Sequence, residues 1–323
     1  MARRDTITKN YMRNTEIFAD FFNGYIYNGK EIIKSTELLD VDTSNIAILP
    51  SFKGTKPVTI QKYRDILKKA ILKQSDTAYY LLLGIENQSD IHYAMPVRNM
   101  LYDALMYSQQ VEEIANHNKE IKTYSSQAEF LSGITKNDKL IPIITVTIYW
   151  GADPWDGPVT LKEMLHETDI ETAKLINDFN CNLFSIIDIE QFPEYKTELN
   201  ELFNLLRTRN NDVSLSELVM GNNNYENISK DTATMMHEFA GIKLPRKNKK
   251  GTYNMCKAIL DMQNKSLQEG ISQGISQGIS QGVSQGLLTA IKNAMQNTQK
   301  SFEEVCDMLG ISEDDMPHFK EMI

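Results

Sequence analysis

Cysteine is scarce. Cys181, Cys256 and Cys306 are the only three, far apart and in no metal-binding spacing. That excludes a disulfide framework and a zinc ribbon, and it points to a reducing compartment, the cytoplasm. The five histidines (His92, His117, His166, His237, His318) show no ligand spacing either. Long apolar runs are missing: the longest are strand-length, too short to span a bilayer, so no membrane partner is expected. The basic start, Met-Ala-Arg-Arg-Asp-Thr, is followed by no apolar segment, so no signal peptide is read there. No glycine-rich phosphate loop joins a strand to a helix, and no Gly-x-Ser-x-Gly elbow is present, which excludes P-loop hydrolysis and serine-elbow chemistry.

Positive charge is also in deficit, with 34 Lys and Arg against 43 Asp and Glu. The imbalance is uneven. Residues 301–323 hold seven acids and one lysine, leaving the rest of the chain near neutral. A near-neutral body can carry a local basic groove, so acidity lowers the case for nucleic acid without excluding it. Lys68, Lys69, Lys73 and the basic run at 246–250 read more readily as solvated charge than as phosphate contacts.

What is present is a soluble, globular composition, with a length that predicts one large domain and something smaller. Its centre is Ala78–Gln88, AYYLLLGIENQ. An apolar run this short predicts a strand buried on both faces. Alternation then puts Glu86 and Gln88 on one face, roughly 7 Å apart along the chain. Upstream, Tyr63–Leu72 (YRDILKKAIL) fits helix and strand periods partly. As a strand, it is the antiparallel partner of Tyr79–Ile85 through a turn at Lys73–Asp76, and it brings Asp65 beside Glu86. Two carboxylates and an amide suit a hard divalent cation. The blander alternative is a solvent-exposed polar strand end, against which stands the cost of a carboxylate on a central apolar strand.

The remaining elements follow from periodicity. Asn14–Tyr25 predicts an amphipathic helix capped by Asn14 or Thr15 and stopped by Gly24, with Ile17, Phe18, Phe21 and Phe22 on its apolar face. Glu16 would sit in its first turn, or reach a metal site. Pro50, Gly54 and Pro57 mark turns between short strands over 31–60. Met95–Ile114 predicts a helix with Pro96 in its first turn and a stripe of Val97, Leu101, Leu105 and Met106. Leu140–Trp150 is a second central strand, Asn182–Ile189 a further one, and Tyr195–Arg207 an amphipathic helix.

Gly270, Gly274, Gly278, Gly282 and Gly286 then recur every four residues, beside Ile271, Ile275, Ile279, Val283 and Leu287. Each interior glycine costs about 1 kcal/mol against alanine, so a lone helix here needs a partner surface. Self-association by a right-handed coil and a flexible spacer are the two readings. Two capping boxes, Ser301–Glu304 and Ser312–Asp315, flank Gly310 and predict a short acidic helical pair. It lacks the basic residues that a DNA-reading helix pair needs. The expected division is 1–210, the large domain that carries Asp65, Glu86 and Gln88; 211–264, a helical extension; 265–290, a repeat helix or linker; and 291–323, an acidic hairpin.

The stretches YRDILK, YYLLLGIENQSDIHYAMPVRNMLYDAL and LIPIITVTIYWGADPWDGPVTLKEML resemble the Rpn family of recombination-promoting nucleases, also called YhgA-like transposases. The glycine-repeat tail followed by SFEEVCDMLGISEDD is similar to that family's C-terminus. The resemblance spans roughly 10–210 plus the tail. It implies an α/β (α+β) chain with the PD-(D/E)XK restriction-endonuclease-like fold: a mixed central sheet flanked by helices, followed by a helical C-terminal region. It also implies endonucleolytic cleavage of DNA with Mg²⁺ (or Mn²⁺). By position, Asp65 and Glu86 correspond to the motif's two metal-binding acids. Gln88 stands where most of the superfamily has the lysine that orients the attacking water, and Arg64 replaces the proline before Asp65. Glu16, Lys68 and Arg98 are the accessory candidates, the last two as cations that substitute for that lysine. The alternative function is a catalytically weak nuclease-fold protein acting as an oligomeric interaction module through its repeat helix.

Overall fold

The computed structural model describes residues 2–41, 44–49, 58–63, 65–74 and 77–323. The expected turns at Pro50, Gly54 and Pro57, with Arg64, Ser75 and Asp76, lie outside them. Two compact units divide the chain, Met1–Ile259 and Leu260–Ile323.

The first unit opens with helices α1 (Ala2–Arg13) and α2 (Thr15–Tyr27). Asn14 separates them and caps α2, its Oδ1 accepting from the backbone N–H of Glu16 and Ile17. The helix does not stop at Gly24. It runs on to Asn28, whose left-handed conformation (φ 52°) ends it. Gly24 serves packing instead: a Cβ there would lie 2.3 Å from the Tyr195 ring.

The strands are β1 (Leu38–Asp40), β2 (Ser44–Leu49), β3 (Val58–Tyr63), β4 (Ile66–Gln74), β5 (Thr77–Gln88), β6 (Ile143–Tyr149) and β7 (Asn182–Ser185). The main sheet runs β1-β4-β5-β6-β7, while β2 and β3 pair separately. Tyr63, expected in the strand that carries Ile66–Leu72, therefore ends β3, opposite Ser44. The expected hairpin is present: β4 runs antiparallel to β5 from Ile66↔Ile85 to Gln74↔Thr77. Beyond it the sheet turns parallel, with Glu86 beside Thr147 and Gln88 beside Tyr149. The parallel crossover from β5 to β6 requires a long connection, and helix α3 (Met95–Ile121) supplies it.

Each face of the sheet has its own cover. On one, α2 lays Phe21 against Phe184 of β7 and Phe18 under the Lys68 ammonium of β4. On the other, Met106 of α3 packs with Leu67 and Leu82. The buried stripe of α3 differs from the apolar one expected: Met95, Asn99, Tyr102, Met106 and Gln110 are buried, while Val97 is exposed. Its polar members are there for hydrogen bonds. Asn99 donates to Thr147 Oγ1 (2.9 Å), and Gln110 both donates to the Ile141 carbonyl and accepts from its N–H.

Helices α4 (Gln127–Ser132), α5 (Ile170–Leu175), α6 (Leu199–Thr208), α7 (Asp212–Met220) and α8 (Lys230–Ala240) complete this unit. α8 is tied to α1 through a Tyr11–Thr232 hydroxyl pair at 3.2 Å.

Helix α9 (Met255–Thr298) begins with Met255, Ala258 and Ile259 buried in the first unit and continues through the whole glycine repeat. In the second unit, α10 (Phe302–Met308) and α11 (Met316–Lys320) close a small core of Ile291, Phe302, Val305, Cys306 and Phe319. The Ser301–Glu304 capping box is formed. Ser312 and Asp315 bond each other before α11 starts, so they make a turn and not a second box. Among the described residues no helix is long and apolar enough to cross a membrane.

Candidate active site at the end of the central strands

The register of β4 and β5 places Asp65 one residue beyond the Ile66↔Ile85 pair, across from Glu86. Both side chains point to the α3 face, as the alternation of Leu67, Leu82 and Thr147 on that face requires. Both are buried, Glu86 completely. Ionised carboxylates at such depth are tolerated only with compensating partners. Asp65 Oδ2 accepts the Asn87 backbone N–H at 2.8 Å, and its Oδ1 lies 3.0 Å from the Lys9 ammonium. Glu86 Oε2 accepts from Arg98 Nη2 at 3.2 Å. Arg98 is itself steadied by donating from Nε to the Tyr102 hydroxyl at 3.1 Å.

Each buried acid at the strand ends therefore faces a cation, and Asp5 adds a third carboxylate, 3.1 Å from Lys9. Burial works against the charge on Lys9, but Asp65 and then Asp5 outweigh it and raise its pKa. Arg98 follows the same logic: burial works against its charge, and Glu86, Tyr102 and Asp65 together outweigh it and raise its pKa. The Tyr102 hydroxyl is pushed up, first by burial and then by the nearby Glu86 charge. A cavity of about 540 Å³ opens on this cluster and is lined by Asp5, Lys9, Asp65, Gln88 and Arg98, among others. Next to it, Asn87 Oδ1 accepts the indole N–H of Trp150 at 3.0 Å, which fixes the last turn of β5 against the start of the loop after β6.

The sequence-derived candidates separate into two groups. Asp65, Glu86, Gln88 and Arg98 come together here. Lys68 does not: β4 alternation sends it to the opposite face, where it pairs with Asp40 at 2.5 Å beside Phe18. Glu16 is exposed in the first turn of α2 and does not line the cavity. Lys9 and Asp5 were missed because α1 has little apolar periodicity to mark it as a helix. The signal that could have found them is their i,i+4 spacing, which on a helix makes an ion pair; here it measures 3.1 Å.

The two carboxylates brought together here, Asp65 and Glu86, are the groups of this site that could hold a hard divalent cation, in place of the cations they now face. Asp65 and Glu86 would hold it through carboxylate oxygens, and Mg²⁺ keeps several of its waters in two-carboxylate sites. Among the described residues no group of three or more His, Cys, Asp or Glu side chains is arranged to hold a metal, so tighter all-protein coordination is absent there. No protein-family model matches the chain, and no curated protein or solved structure matches it.

Proposed function

We propose that this chain is a phosphodiester hydrolase of the PD-(D/E)XK fold, and within that class a Mg²⁺- (or Mn²⁺-) dependent DNA endonuclease of the Rpn type. The observation that carries this reading is the convergence of Asp65 and Glu86 from adjacent antiparallel strands at one end of a mixed sheet, where Asp65, Gln88 and two cations line a cavity and Glu86 is fully buried, paired with Arg98 of the cavity wall. A divalent cation held by Asp65 and Glu86 would lower the pKa of a bound water and neutralise phosphoryl charge. The protein's own residues do the rest. Gln88 offers a carboxamide that orients water through hydrogen bonds but carries no charge and takes up no proton. Arg98, fixed by Glu86 and Tyr102, presents a cation to an approaching phosphate. Water attacks phosphorus and gives up a proton to solvent, the bond to the leaving sugar oxygen breaks, and that oxygen takes up a proton from solvent. Three free cysteines, two of them buried, suit a cytoplasmic protein.

Plasmid nicking in Mg²⁺ tests this directly. Asp65→Ala and Glu86→Ala should each reduce it by about a thousandfold or more, the scale of losing a group that stabilises the transition state. Nicking that persists in both variants overturns the site.

One observation favours a second role alongside it. Ile271, Ile275, Ile279 and Val283 are each more than half exposed along α9, and the glycines beside them meet nothing within 4 Å. Such a face suits a second copy of the same helix, giving a homo-oligomer. Sedimentation that finds only monomer at every concentration rejects it.

A further inference from the structure

The two cations at the site are held very differently. Arg98 is anchored three ways: to Glu86, to the Tyr102 hydroxyl, and over the Tyr102 ring at 5.7 Å. Among the described residues Lys9 is held by carboxylate oxygens alone, those of Asp65 at 3.0 Å and of Asp5 at 3.1 Å, and Asp5 is itself half-exposed. Its stem is flexible, it lies on the cavity wall, and its ammonium is a compact point charge with three rotatable donors. If it leaves, Asp65 stays in place, because Oδ2 keeps the Asn87 backbone N–H. A divalent cation and the Lys9 ammonium also compete for the same Asp65 oxygen.

We propose that Lys9 is the mobile cation of this site: it occupies Asp65 until a divalent cation takes that oxygen, and its ammonium then transfers to the DNA phosphate being cleaved. This rests on the nuclease reading above. No bond to Lys9 forms or breaks; it keeps its three protons and exchanges one anionic oxygen partner for another. It would thus provide the positive charge that Gln88 does not.

The distinguishing measurement is Mn²⁺ affinity by titration calorimetry on the full chain without DNA. Lys9→Met removes the competitor, so Mn²⁺ should bind about tenfold tighter, the size of effect one nearby charge has on a carboxylate. In the same variant, nicking should fall by about a hundredfold at saturating Mn²⁺. A purely structural Lys9 would instead leave affinity unchanged or weaken it, and that result overturns the proposal. Should Lys9→Met fail to fold, as judged by circular dichroism, Lys9→Gln keeps a hydrogen bond to Asp65 without the charge and is read in the same way. Asp65→Asn separates the two levels. If it leaves Mn²⁺ affinity intact, the nuclease site and the Lys9 proposal fall together. If it abolishes Mn²⁺ binding while Lys9→Met matches the parent, only the Lys9 proposal falls.

Discussion

The end of the central sheet and the repeat helix α9 depart from ordinary protein architecture in opposite ways. At the sheet end, charged groups are buried, and Asp65 and Glu86 each face a cation. Along α9, apolar groups are exposed and the glycines are open. Both arrangements are costly in isolation: buried charge must be desolvated, and an interior glycine weakens a helix. The cost is met differently in the two regions. The sheet end carries its compensation within the same unit, through Lys9, Arg98 and the Asn87 N–H. The repeat helix shows none along Ile271–Val283 among the described residues. Unusual residues that are already compensated point to chemistry, and those left open point to association.

Removing a compensating group should break this contrast most strongly at the sheet end. Arg98→Met takes the cation from a fully buried carboxylate while keeping most of the side chain's volume. Thermal or urea unfolding should find a loss of about 3 kcal/mol, the low end for a broken buried pair because Arg98 is partly exposed. A loss below about 1 kcal/mol, typical of surface ion pairs, would mean the cluster is solvated in the manner of a surface.

The glycines sharpen the comparison at smaller amplitude. Gly24→Ala forces a methyl group into the buried Tyr195 ring and should cost about 1–3 kcal/mol in the same unfolding experiment. The identical substitution at Gly274 and Gly278 meets open space. There it should strengthen the helix by up to about 1 kcal/mol at each site, read as increased helicity and a higher melting temperature. If α9 pairs with a second copy through its glycine face, the same double variant should also weaken self-association in sedimentation. Gly24→Ala and Gly274→Ala with equal effects of the same sign would erase the distinction between a packed and an open glycine.

Much of the first unit could be read from local pattern. The run Leu81–Ile85 is buried on both faces, as its apolar character without alternation predicts, while Tyr79 and Tyr80 at its start, expected to be buried with it, are exposed. Asp65 and Glu86 follow from it once Ile66–Leu72 is taken as its antiparallel neighbour. Asn14 is legible as a cap because its side chain acts within three residues of itself. Reading failed wherever the meaning of a residue depends on something distant. Gly24 looks like a helix stop, but Tyr195 decides its role. The buried stripe of α3 contains Asn99 and Gln110, which hydropathy assigns to solvent, because Thr147 and Ile141 offer them partners inside.

The amino-acid sequence by itself determined the central strand and which of its side chains share a face, because strand period is local; the hairpin partner, and with it the pair of acids Asp65 and Glu86, followed from only one of the two periods that Tyr63–Leu72 fits. Only the tertiary structure decided which cations serve those acids. Lys68 is three residues from Asp65 and faces the other way; Lys9 is fifty-six residues away and touches it. Strand parity excludes the near lysine, and the packing of α1 delivers the far one, which no period along the chain encodes.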